Sequence, residues 1–159
     1  REVLQGIEFE RVLVSPLSRT RETAQLVVPL HDWEVREEIK ERSFGEWEGK
    51  NWEALEKEFP EGVKKWKEAP FLFTPPGGES FQKVLQRVAP FWEELFHRPE
   101  ERLLVVTHGG VIRSIFAHLL GVDFATTSCF LFDPGVLVKI RGDRSFCQVA
   151  VILNTEVEP

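Results

Sequence analysis

The sequence predicts a three-layer α/β fold, with a central, mostly parallel sheet flanked by helices. Three observations point there. Strand-like and helix-like segments alternate from Phe9 to Leu120, the order that parallel strands and their crossovers require. Leu103–Val106 is a continuous apolar run, as in a strand buried on both faces. That run leads through His108-Gly109-Gly110 straight into an apolar helix. Ligands of open α/β sheets bind at such carboxyl strand ends, and a helix start offers free N–H groups and a positive dipole end to an anion.

Each element has its own signal. Phe9–Val14 is rich in apolar and β-branched residues and reads as a strand. Ser15-Pro16 reads as a helix start, with Ser as cap and Pro at the first helical position; the helix then runs from Leu17 to about Val28, before Pro29. Trp33–Val35 is a short strand, and Ile39–Gly49 is irregular. Asn51 caps a helix carrying Trp52, Leu55 and Phe59, and Glu61–Glu68 is a further helical stretch. Pro75-Pro76-Gly77-Gly78 marks a loop. Ser80 opens the most regular helix, where Phe81, Val84, Leu85, Val88, Trp92, Leu95 and Phe96 follow the helical period and Pro90 predicts a kink. Leu103–Val106 is the next strand, and the Val111–Leu120 helix stops at Gly121. The C-terminal third reads as strands at Cys129–Phe132, Val136–Ile140 and Phe146–Leu153, pairing antiparallel at a sheet edge. Asp133-Pro134-Gly135 and Arg141-Gly142-Asp143 are the turns between them.

Composition narrows the functions. The 159 residues, 42% hydrophobic, suffice for one domain with a core. A net charge of -6 argues against a nucleic-acid partner held through its phosphates. No run approaches membrane-spanning length, and no secretory signal pattern is present. Cys129 and Cys147 read as two buried thiols of a cytoplasmic protein, and their spacing fits no zinc site. Methionine is absent, and Arg1–Gly6 resembles the last turns of a helix ending at glycine. The expectation is a chain that begins mid-helix.

Several residues have the character of an anion site. Arg19 and Arg21 lie in the first turns of their helix, where a cation opposes the macrodipole unless an anion sits in front. Arg113 repeats this oddity just after His108. The glycines after His108 allow close backbone approach, so His108 is expected to face a ligand. Glu41–Gly49 mixes Glu41, Glu46 and Glu48 with Phe44 and Trp47; a carboxyl desolvated by those rings would suit a general acid. The residues alone do not choose among the three. His31, His97 and His118 have no supporting context.

Four blocks together resemble the histidine phosphatase superfamily, also called phosphoglycerate-mutase-like. They are Ser15-Pro16-Leu17-Ser18-Arg19-Thr20-Arg21-Glu22-Thr23-Ala24, Glu41 to Gly49, Pro76-Gly77-Gly78-Glu79-Ser80 with Arg87, and Thr107-His108-Gly109-Gly110 through Arg113. The resemblance implies Arg19 and His108 as phosphate clamp, Gly109 as a phosphate-binding position, and Glu41 as proton donor to the leaving alkoxide. It implies a metal-independent phosphomonoester hydrolase acting through a phosphohistidine, with no cofactor. Its partner is a small-molecule phosphomonoester, with no nucleic acid and no membrane; homodimerisation is left open. The family's nucleophile sits in an Arg-His-Gly-Glu segment on the first strand, which residues 1–159 do not contain. Residues 1–159 are therefore expected to be one phosphatase-like domain lacking its first strand, with roughly 30 to 40 residues upstream. The rival readings are a cofactor-dependent phosphoglycerate mutase and a catalytically dead phosphate-binding or interaction module.

Overall fold

The computed structural model describes residues 2–143 and 146–152. Its principal sheet has three parallel strands: β1 (Arg11–Val14), β2 (Trp33–Val35) and β3 (Leu103–Val106), in the order β2-β1-β3. In register, Val14 lies beside Val35 on one side and Val106 on the other. The strands therefore end level. Backbone bonds continue past them, from Ser15 N to Val106 O (3.0 Å) and from Arg36 N to Val14 O (3.0 Å).

Alternation along β1 divides the core between the two sheet faces. Val12 and Val14 pack with Ala24 and Val28, which belong to α1 (Ser18–Val27) and its end, and with Leu104 and Val106. Leu13 faces the other way, among Val84, Val88, Phe91 and Trp92 of α4 (Phe81–Leu95) and Val111 and Ile115 of α5 (Gly109–Leu120). Helices thus cover both faces, as the sequence predicts. The Ser80 hydroxyl caps α4 by accepting from Lys83 N (3.2 Å), and the helix runs on through Pro90 to Leu95. Gly121 ends α5 in the left-handed conformation at φ 62°. Two short helices, α2 (Trp52–Glu58) and α3 (Pro60–Glu68), carry a separate aromatic cluster around Trp47, with Leu55 and Val63 buried in it. Asn51 caps α2 through Ala54 N (2.9 Å).

Three local expectations are corrected. Ser15 does not cap α1: Leu17 occupies the cap position, and the Ser15 side chain is used elsewhere. Cys129–Phe132 is not a strand. Thr126–Cys129 forms a 3-10 turn, tied down by Arg113, which donates to Thr127 O and Phe130 O. Tertiary hydrogen bonding overrides the β propensity of that run, and Cys129 is exposed rather than buried. The last strands, β4 (Leu137–Gly142) and β5 (Cys147–Ile152), pair antiparallel as expected, but as a two-stranded sheet of their own. Glu2–Leu4 is a 3-10 turn; Arg1 and Leu153 lie outside the described residues.

Candidate active site

The level ends of β1 and β3 set Ser15 and His108 side by side. Ser15 is fully buried, and its Oγ lies 2.7 Å from His108 Nε2. His108 occupies the cap position of α5 in extended backbone (φ -129°, ψ 160°), with no side-chain bond to the helix, so its ring is free to face α1. There Arg19 Nε donates to His108 Nδ1 at 3.2 Å. A guanidinium only donates. Nδ1 is therefore the acceptor, and Nε2 carries the proton that it gives to Ser15 Oγ.

Burial first, then the charges of Arg19 and Arg87, push the His108 pKa down to about 4. The ring is neutral at pH 7, held beside cations. This carries a stability prediction. An unfolded chain protonates its histidine near pH 6.5, whereas folded His108 resists to about 4. Between those values the unfolded state binds the extra proton, so stability falls as pH drops through the window and rises again with pH. Thermal melts from pH 4 to 7 should show this slope in the wild type and a shallower one in His108→Gln. Inorganic phosphate should flatten the wild-type slope by favouring the charged ring; identical slopes in the two proteins would count against a buried neutral His108.

Glu41 meets the start of the same helix. Its Oε2 accepts from Gly110 N (3.3 Å) and its Oε1 from Arg42 N (2.9 Å). A Cβ on residue 110 would lie 2.3 Å from Glu41 Oε1, so glycine there makes room for the carboxylate. The segment is pinned alongside by Thr107 Oγ1, which donates to Ile39 O (2.8 Å), and by Arg87 Nη1, which donates to Glu38 O (2.6 Å).

The other two carboxylates go elsewhere. Glu48 accepts from Ser43 Oγ (2.8 Å) and Phe44 N (3.0 Å), which hold its pKa below the usual range, opposite to the rise expected of a general acid. Glu46 is exposed. Of the three, Glu41 is the one that bonds to the start of α5.

Arg113 does not join the site. Its guanidinium anchors the 126–130 turn and stacks over Phe132 (5.2 Å) and Phe71 (5.7 Å). Of the two cations in the first turns of α1, Arg19 meets His108 and Arg21 is exposed. Sequence reasoning missed Ser15, which only the pairing of β1 with β3 brings to the imidazole. It also gave no role to Arg87, whose charge bears on His108 while two of its nitrogens bind the Glu79 carboxylate at 3.0 Å.

Arg19, His108, Glu41 and the Gly109-Gly110 backbone thus gather at one helix N-terminus. Arginine donors, a neutral imidazole and unsatisfied helix N–H groups suit a tetrahedral oxyanion. A carboxyl beside them suits proton transfer to an oxygen of that anion. Among the described residues, no group of three or more His, Cys, Asp or Glu side chains is placed to hold a metal ion, and no helix is long and apolar enough to cross a membrane.

Known proteins resemble this chain in sequence and fold. The adenosylcobalamin/alpha-ribazole phosphatase of Escherichia coli (strain K12) is 31% identical over 153 residues, covering 94% of this chain and 75% of its own. A 2,3-bisphosphoglycerate-dependent phosphoglycerate mutase of Parvibaculum lavamentivorans is 35% identical over 155 residues, covering 85% and 73%. The crystal structure of the alpha-ribazole phosphatase from Shigella flexneri superposes with a TM-score of 0.85 at 29% identity, covering 95% of this chain and 76% of that one. Residues 1–155 match the histidine phosphatase superfamily (branch 1). With its sheet, its helix-start pocket and its relatives in agreement, this chain belongs to the histidine phosphatase superfamily, as one of its phosphatases.

Proposed function

We propose that the full-length protein hydrolyses small phosphomonoesters without a metal ion, through a phosphohistidine. The observation that carries this is the convergence of Arg19, His108 and Glu41 on the start of α5. A phosphate monoester brings about two negative charges, and Arg19, the His108 ring and the helix N–H groups neutralise them. Arg19 leaves His108 Nδ1 for the phosphate, and the anion then favours protonation of the ring.

The nucleophile in this reading is the imidazole of the family's Arg-His-Gly segment, which residues 1–159 do not contain. Its nitrogen bonds to phosphorus as the ester P–O bond breaks, and Glu41 as the acid gives its proton to the departing oxygen. The Glu41 carboxylate then takes a proton from water. That water attacks phosphorus, and phosphate leaves with the histidine regenerated. The protein acts in the cytoplasm in this reading, in keeping with its two free thiols.

Full-length enzyme, quenched during turnover of a labelled phosphomonoester, should hold label that acid releases and base does not, as expected of a phosphorus–nitrogen bond. EDTA should leave the rate unchanged. Activity lost to EDTA and restored by magnesium would overturn the mechanism. Alpha-ribazole phosphate belongs in the substrate panel because the E. coli relative is a phosphatase of that name. Phosphoryl transfer between glycerate positions that depends on added bisphosphoglycerate would move the protein to the side of its mutase relative.

A further inference from the structure

Arg42 is a costly residue in its place. It is 3% exposed, in an aromatic cage. Its guanidinium lies 4.1 Å from the Phe81 ring centroid, 5.4 Å from Phe44 and 5.6 Å from Trp66. Nε donates to Glu79 O (2.7 Å) and Nη2 to Phe73 O, but the buried Nη1 has no partner among the described residues. Burial holds the guanidinium below its usual pKa. An apolar side chain of similar volume would fill this cage at less expense, since a desolvated charge destabilises unless its pairing is complete. Stability alone therefore gives no reason for arginine here.

The reason lies one residue back. The Arg42 backbone N–H donates to Glu41 Oε1 (2.9 Å), so whatever fixes Arg42 fixes the carboxylate. The side chain spans two strands of loop, Phe73 and Glu79, and Ser43 and Glu79 close the same junction through Glu79 N to Ser43 O (2.9 Å). On the other side, Gly110 leaves space for Glu41 but contributes only a long bond of 3.3 Å. The carboxylates whose charges act on the caged guanidinium are Glu41 and Glu79. Glu79 is already paired with Arg87, whereas no side-chain cation among the described residues bonds to Glu41.

We propose that Arg42 is a positioning residue. Its caged guanidinium locks the 41–43 backbone and biases the Glu41 carboxylate toward the leaving-group oxygen. The inference rests on Glu41 being the proton donor, and its test separates the two ideas.

A proton donor matters for a poor leaving group and little for a good one. The measurement is kcat/KM of the full-length enzyme for an alkyl phosphate and for p-nitrophenyl phosphate, across pH, in wild type, Glu41→Gln, Arg42→Met and Arg42→Lys. Glu41→Gln should slow the alkyl ester far more than the aryl ester, by about 10²-fold or more, and flatten the acid-dependent limb of the profile. Arg42→Met should shift the same ratio in the same direction by about tenfold, less than the roughly 10²–10⁴-fold that losing a general acid outright costs. Arg42→Lys, which keeps charge and stem but not the forked donors, should recover part of it.

If Glu41→Gln shows no leaving-group selectivity, the proton-donor reading itself fails. If it does, while Arg42→Met slows both esters equally or neither, Arg42 is only a structural plug and the inference is overturned. Should Arg42→Met not fold, Arg42→Lys decides between the same two outcomes through the same ratio.

Discussion

Replacing His108 with alanine in the full-length protein is expected to lower kcat for any phosphomonoester by about 10²–10³-fold, the scale set by removing one preorganised donor to developing charge. Little else should change as much. The ring is buried and neutral, so the fold gains nothing from its charge at pH 7. The structural losses are the 2.7 Å bond to Ser15 and the 3.2 Å bond from Arg19; the Ser15 hydroxyl stays buried with only a 3.5 Å bond from Leu17 N, and a poorly satisfied group of that kind costs about 1–3 kcal/mol. The variant should therefore melt lower at neutral pH yet remain folded, and lose less stability on acidification than the wild type. Steady-state kinetics beside thermal melts check both halves. A folded His108→Ala protein with wild-type turnover would remove the imidazole from the reaction.

Gly110→Ala should separate activity from stability in the opposite sense. The new methyl would stand 2.3 Å from Glu41 Oε1 and 3.2 Å from its Cδ. Those atoms end a flexible side chain, so the carboxylate swings away and the backbone stays. Gly110 lies in the first turn of α5 and has no positive φ, so alanine suits the helix and should raise stability by about 0.5–1 kcal/mol. With the acid displaced, hydrolysis of an alkyl phosphate should fall by about 10²-fold. The expected result is a protein that melts higher and works far more slowly. A fully active variant would show that Glu41 does not need the space beside Gly110 for its chemistry.

The elements near the site were legible because local signals agreed there. Leu103–Val106, His108-Gly109-Gly110 and the helix after them could be read from apolar runs and glycines. The Asn51 and Ser80 caps followed from side chains that bond their own backbone. Where local signals competed with distant partners, reading failed. Cys129–Phe132 has the residues of a strand, but Arg113 ties the Thr126–Cys129 3-10 turn and Phe130 in place instead. The same contact takes Arg113 out of the anion site that its helix position suggested. Ser15 has the residue type of a helix cap, yet a parallel neighbour takes its hydroxyl.

The sequence by itself determined the order of elements, the helix-start character of the pocket and a short slate of ionisable candidates. Periodicity and capping act over a few residues, and one chain displays them directly. Only the tertiary structure decided which candidates meet. Strand register brought Ser15 to His108, α1 delivered Arg19 to the same ring, and the Gly110 gap admitted Glu41 in preference to Glu46 and Glu48. These pairs lie 69 to 93 positions apart along the chain. Contacts between residues so distant are set by packing of the sheet and its helices, and no local pattern records them.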